Sequence, residues 1–497
     1  MEQLCLFRCL NKKVCGIDLT NFHFRETMNT AFRAERVCEM SLQKSLKNNR
    51  AYEIDMCTGK IFPKIVAFAI PLMLSGILQL LFNAVDIIVV GRFTGSTALA
   101  AVGATSALIV MLINGFIGIS VGSNVLAAQS FAAGRAKDME ETVHTSITAA
   151  LLFGIVLIFL GNFLARPLLA LMDTPQDVLP LSVLYMKIYF CGMPFLMSYN
   201  FGAAILRAIG DTRRPLLYLF LSGITNVVMN LVLVIIFHMG VSGVAIATVI
   251  SQALSATLII RFLCKSEGIY HFDLKRLRID GKVLGRMLKI GLPAGVQGMC
   301  INFSNVLIQS SVNSFGSLAM AGYTAAGNLD GFLYVSVNAF TQACLSFTSQ
   351  NVGVGNDKRV DKILGECIGI VLVLGTALGS AMYFMGETLL HLYSTDPAVV
   401  QYGLEKMAIV CIPYGLLGVM DVIPGCLRGM GHSLSTMLLT LTGVCLFRVF
   451  WVFVVFPMDR TLVNLYISYP VSWILTILMQ GTCFWLIRRK RMRASLP

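Results

Sequence analysis

Apolar residues along this chain come in long runs broken by short polar stretches. Twelve such runs stand out, at about 65–91, 98–125, 142–164, 179–206, 215–237, 243–263, 290–313, 317–348, 364–386, 398–427, 435–457 and 463–487. Each is long enough to cross a bilayer as a helix, which takes roughly 20 residues. The pattern predicts an all-α membrane protein with twelve transmembrane helices. The connections are short except residues 264–289, which hold Lys265, Lys275, Arg276, Arg278, Lys282, Arg286 and Lys289. That basic stretch divides the chain into spans 1–6 (58–264) and spans 7–12 (290–490), with a linker at 265–289 and a basic tail at 491–497.

Composition agrees. Of 497 residues, 56% are hydrophobic and 13% charged, and mean hydropathy is +0.75. Soluble proteins carry about 25% charged residues. The formal charge of +13 calls for no nucleic acid, because basic loops on one membrane face produce it. Loops after odd-numbered spans hold only Arg92, Arg166 and Arg460, and the other inter-span basic residues follow even-numbered spans. This bias predicts an integral plasma-membrane protein with both termini in the cytoplasm. Residues 1–57 stand apart. They are either a disordered or surface-lying tail or translated upstream sequence with the start at Met56, and they do not read as a signal peptide. The 14 cysteines are scattered without CxxC spacing, which suggests neither a disulfide framework nor a metal site.

The two halves repeat each other. Gln129 and Gly134 match Gln350 and Gly355, 221 residues on, and Pro71 matches Pro293 at 222. ILRAIGD (205–211) matches CLRGMGH (426–432), and Lys187 and Pro194 match Lys406 and Pro413. Six spans per half make the repeats parallel, with the pathway between them. GxxxG spacing at Gly118/Gly122, Gly291/Gly295, Gly375/Gly379 and Gly425/Gly429 predicts close helix packing.

A few polar residues sit deep in the spans. Asp86 lies six residues, roughly 9 Å of helix rise, from Arg92. A carboxylate there is costly and marks a functional site, unless it caps a helix break or pairs with a neighbouring helix. Asn226 and Asn230 share one face of span five, and Asn230 lies roughly 12 Å from His238, near the depth of Asp86. Together they offer oxygens to a proton or Na⁺; alternatively the two amides bond to neighbouring helices. The second half puts Ile308, Arg448 and Val452 at the corresponding positions. Its own charges are Asp330, Asp421 and Arg448. An Asp330–Arg448 ion pair is one reading. The other is an anionic surface for cationic substrates, with Asp421 the better placed acid and Tyr414 and Met420 as soft walls. A helix-packing Asp421 near Arg428 is the structural alternative. Lys187 and Lys406 are near enough to the outer ends to snorkel.

The opening FAIPLMLSGILQLLFNAVDIIVVGRFTG, the run GVSGVAIATVISQ (240–252) and the LRAIGD/LRGMGH pair resemble the multidrug and toxic compound extrusion (MATE) transporters of the bacterial type, over residues 58 to about 490. The resemblance implies a V-shaped two-lobe antiporter that exports small amphipathic, cationic compounds by alternating access. It implies H⁺ or Na⁺ as the coupling ion and no other cofactor, and surrounds that ion with Asp86, Asn226, Asn230 and Thr248. The second span-five position is often Asp in the family, and here it is Asn230. The chain is expected to act as a monomer in contact with membrane lipid. A flippase for a lipid or lipid-linked precursor is the alternative, although it would need more basic residues in its cavity. A membrane enzyme is disfavoured because no HExxH or paired His is present.

Overall fold

Each apolar run forms a helix or a bent helix pair in the computed structural model, which describes residues 52–172 and 174–494. Expectations for residues 1–51 and 495–497 lie outside the described residues. The spans are Ile61–Phe93, Ser96–Ala132, Ala136–Leu171, Leu179–Cys191 with Met193–Ala208, Arg213–Leu231 and Gly240–Lys265 in the first half. In the second half they are Gly281–Asn313, Ser317–Gly353, Asp357–Phe384, Pro397–Val410 with Tyr414–Gly429, the stretch from Ser433 to Val455, and Leu462–Ala494. Among the described residues there is no strand. Eight of these spans pass on length and apolarity alone, and ten once each bent pair is taken as one. Spans seven and eight are long enough but carry Gln297, Asn302, Asn305, Asn328, Asp330 and Asn338, so they are less apolar than the others.

The linker is shorter than its basic composition suggests. Asp280 accepts hydrogen bonds from the backbone N–H of Lys282 (2.8 Å) and Val283 (2.9 Å) and so starts span seven at Gly281. The basic residues from Lys282 to Lys289 therefore form its first turns. Upstream, Tyr270 and Phe272 are buried against the first half.

The backbone repeats as the sequence does. Gly95, Gly134 and Gly210 take positive φ angles of 92°, 64° and 94°, and Gly316, Gly355 and Gly431, each 221 residues on, take 98°, 72° and 88°. A side chain would be strained at these turns. Spans four and ten are both broken, by 48° and 51°. Span five turns into a π-helix at Val232–Ile236, and span eleven contains π-helical stretches at Leu441–Leu446 and Trp451–Val455.

The repeats are closed together at one end. Span two lies against span seven with no room for side chains. A Cβ on Gly118 would sit 2.3 Å from Gly295 Cα, and one on Gly122 would sit 2.2 Å from the Met287 carbonyl oxygen. One end further on, Gln129 Nε2 donates to the Gly429 carbonyl (3.2 Å), and Gln350 Nε2 donates to the Ala208 carbonyl (2.7 Å). These two bonds occupy the same position in each repeat and cross between the repeats in opposite directions. Asn124 adds a third link, donating to the Ala204 carbonyl (2.9 Å) and accepting from Ser346 Oγ (3.2 Å).

A short strap lies over this closed end. The Ile54 N–H donates to the Gly210 carbonyl (3.3 Å), and the Met56 carbonyl accepts from Asn351 Nδ2 (3.1 Å) and Arg359 Nε (3.3 Å). Toward the other end spans one, two, seven and eight are exposed at Leu81, Val110, Phe303, Val306 and Met320, and the two lobes part into a V.

Candidate functional site

Four polar side chains of the first repeat meet in one chain of hydrogen bonds. Asn230 Nδ2 donates to Asp86 Oδ1 across spans five and one. It also donates to Asn226 Oδ1 at 3.2 Å, one turn back on its own helix. Asn226 Nδ2 reaches Thr248 Oγ1 on span six at a long 3.5 Å, and Thr248 donates to the Val244 carbonyl at 3.0 Å. The i, i+4 spacing of the two asparagines is what lets one helix face serve both neighbours. Asn230 is fully buried, Asn226 is 5% exposed, and Asp86 has no ion-pair partner among the described residues. Asn230 Oδ1 is buried without a hydrogen-bond partner. An orphaned buried acceptor is costly, and beside a carboxylate it suits a cation.

The sequence reading left out three residues around this chain. Tyr185 and Tyr189, one turn apart on span four, stand within electrostatic reach of Asp86. Gln252, one turn beyond Thr248, lies beside Tyr189, and its Oε1 is buried and without a partner. Gly192, at the break of span four, makes room for it: a Cβ there would lie 2.6 Å from Gln252 Oε1. The i, i+4 spacings were visible in the sequence. The approach of span four to span one was not.

The second repeat fills its counterpart differently, and three expectations need correcting. Asp330 pairs with Lys406 Nζ at 2.9 Å and not with Arg448. Lys406 is buried rather than snorkelling; it lies over the Tyr323 ring at 4.1 Å. Asp330 also accepts from Cys411 Sγ at 3.1 Å, so it grips span ten at its break. Arg448 has neutral partners instead. It donates to Ser472 Oγ (3.1 Å) and Asn305 Oδ1 (3.0 Å) and stacks on Tyr469 at 4.3 Å. Tyr469 and Tyr323 share a hydroxyl hydrogen bond of 2.9 Å, which separates the two cations. The third correction concerns Tyr414 and Met420, which do not wall a cleft. Both are buried, Tyr414 with its hydroxyl on the Asp330 carbonyl (3.2 Å) and Met420 among Tyr323, Leu465 and Trp473.

Asp421 is partly exposed, has no hydrogen bond or ion pair among the described residues, and lies within electrostatic reach of Arg428 and Tyr334. Tyr334 is 45% exposed and belongs to the stretch of span eight that faces span one. There a Cβ on Gly331 would come 4.0 Å from Leu80, and one on Gly76 would collide with Val335.

Comparison with known proteins fixes the class. The MatE family model matches residues 71–232 and again 293–454, two copies 222 residues apart, in agreement with the repeat. The chain belongs to the MatE family of membrane transporters, whose members include multidrug efflux proteins. Among individual relatives, it is 30% identical to the probable multidrug resistance protein YpnP of Bacillus subtilis, over 80% of this chain and 88% of that one. It is 26% identical to an FAD transporter of Shewanella oneidensis, over 75% and 83%. Its fold matches that of a Pyrococcus furiosus transporter of the MOP superfamily, with a TM-score of 0.80 at 20% identity, covering 88% of this chain and 97% of that one. An outward-facing MATE transporter matches with a TM-score of 0.79, also at 20% identity, covering 88% and 97%.

Proposed function

We propose that this protein is a secondary active antiporter of the plasma membrane that exports small amphipathic organic compounds, cationic ones among them, in exchange for H⁺ or Na⁺. One observation carries the reading: the Asp86 carboxylate has no fixed cation beside it, while the second repeat meets its own acid with Lys406. A fixed partner would make the charge permanent. Without one, a mobile cation must supply the compensation. Asp86, Asn226, Asn230 and Thr248 would hold that ion. Asn230 gives a neutral oxygen where relatives often carry a second carboxylate, which favours H⁺ over Na⁺.

When a proton binds, Asp86 loses its charge and its demand on Asn230, and spans one and five are free to repack. Alternating access then means opening the end closed by Gln129 and Gln350 while the other end shuts. The basic loops put that closed end, and both termini, on the cytoplasmic side. Both lobes and the cleft lie within one chain, so a monomer suffices.

The test is ion-coupled flux in vesicles containing the purified protein. An imposed proton or sodium gradient drives uptake of a fluorescent organic cation by the wild type, and Asp86→Asn abolishes the gradient-driven part while folding normally. Wild-type-level coupled flux in Asp86→Asn would overturn the assignment.

A further inference from the structure

We propose that the cleft wall of the second repeat recognises molecules carrying a positive and a negative group together, with Asp421 and Arg428 as the two charge contacts. This rests on the exporter reading above and narrows its substrate class. Asp421 and Arg428 are seven residues apart on the helix Tyr414–Gly429. Seven residues are nearly two full turns, so both side chains leave the same face, roughly 10 Å apart along the axis. They form no ion pair, although each lies within the electrostatic reach of the other.

Arg428 is held elsewhere. Its Nη2 donates to Gln297 Oε1 at 2.7 Å, and its Nε is buried with no partner. Tyr334 stands within reach of both charges and is the exposed member of the group. Its hydroxyl accepts a long bond of 3.5 Å from Asn338 Nδ2. The wall therefore holds a partly exposed carboxylate without a partner, a guanidinium within its electrostatic reach that keeps one buried, unused donor, and an exposed tyrosine within reach of both.

The first repeat lacks this arrangement. Arg207 matches Arg428, but Asn200 stands where Asp421 does, and Ser75 where Gln297 does. Asn200 Nδ2 is occupied by the Leu196 carbonyl at 2.9 Å. A molecule with one charge satisfies one of the two groups and leaves the other desolvated and uncompensated. A molecule with both satisfies both, and cancels its own charge on the way in. Charge-assisted hydrogen bonds of this kind are directional as well as strong, so the separation of the two charges in the ligand matters.

The experiment uses three matched probes on one biphenyl frame: an aminomethyl compound, a carboxylate, and a compound with both groups at opposite ends. Binding is measured by calorimetry on the full chain in detergent, and transport by counterflow in vesicles. The wild type is expected to bind the doubly charged probe about tenfold more tightly than either other. Asp421→Asn should reduce it to the level of the carboxylate probe, and Arg428→Gln to the level of the aminomethyl probe. Gln297→Ala, which keeps the guanidinium but removes its holder, should give an intermediate loss. If Arg428→Gln fails to fold, the Gln297→Ala and Asp421→Asn results decide. A wild type with no preference for the doubly charged probe overturns the inference. So does an unchanged preference in Gln297→Ala and Asp421→Asn. Either result, with gradient-driven flux of the aminomethyl probe intact, leaves the exporter reading standing. Loss of gradient-driven flux for all three probes removes that reading instead.

Discussion

Each repeat holds a carboxylate inside its spans, and the two have opposite circumstances. Asp86 is met by the neutral amide of Asn230, Asp330 by an ammonium. Removing the ammonium leaves a nearly buried carboxylate uncompensated, so Lys406→Met should cost about 3–5 kcal/mol of stability. Asp330→Asn should cost a similar amount, and the double substitution distinctly less than the sum. Melting of the three variants in detergent checks this, and additive losses would dissolve the pair. Asp86→Asn keeps an acceptor oxygen for the buried Asn230 amide, leaves no charge behind, and should melt close to the wild type. Asp86 was legible in the sequence because a lone acid in an apolar run is rare. Asn226 and Asn230 were legible because helical spacing puts them on one face. The partner of Asp330 was not. Depth along a helix fixes one coordinate, and Arg448 shared it. Rotation about the axis and the break of span ten, which brings Lys406 and Cys411 to the same acid, decide the pairing and leave no mark in local sequence.

Among the elements, span two and span seven show how sequence spacing becomes geometry. The GxxxG steps at Gly118/Gly122 and Gly291/Gly295 meet each other across the two repeats. At Gly375/Gly379, the same spacing lets span nine sit on Gly415 and the Cys411 carbonyl within one repeat. The spacing predicts close approach but not which helix approaches. Gly118→Ala puts a methyl 2.3 Å from Gly295 Cα, where only backbone could give way, and overpacking of this kind costs about 1–3 kcal/mol. The expected outcome is a lower melting temperature and faster thiol labelling of a cysteine introduced at Ser346. Gly365→Ala is the control: nothing lies within 4 Å of its Cβ position, and it should change neither. The twelve-span count was legible throughout, since even the polar spans seven and eight remain long helices. The breaks in spans four and ten were foreshadowed only by Pro194 and Pro413.

At the scale of the whole molecule, closure depends on two related hydrogen bonds. Gln129→Leu and Gln350→Leu should each weaken the closed end by about 1 kcal/mol, a shift of about fivefold in the open-to-closed ratio. Independent contributions would make the joint shift about thirtyfold. Spin labels at the exposed positions Arg135 and Lys358 would report this as a growing long-distance population. An unchanged distance distribution in the double variant would mean that the glycine contacts alone hold the end shut.

The strap over that end imposes a stricter rule on how it opens. Its hold on the first repeat, at Ile54, and its hold on the second, at Met56, are two residues apart. Two residues of chain reach about 7 Å at full stretch. The leash has almost no slack, so the two repeats cannot draw apart while both holds remain. One must let go first, and the holds differ in kind: on the first repeat one backbone bond at Ile54 and the partly exposed contacts of Tyr52 and Glu53, on the second two bonds to the completely buried Met56. The strap should leave the first repeat and travel with the second, taking Tyr52 away from Arg213 and Arg214 and Glu53 away from Tyr270. A molecule whose two halves are near copies thereby acquires a handedness in its motion. Opening begins with the release of one named amide, and hydrogen exchange at the Ile54 N–H should run ahead of exchange at the Asn351 side-chain amide in every condition that favours the open state.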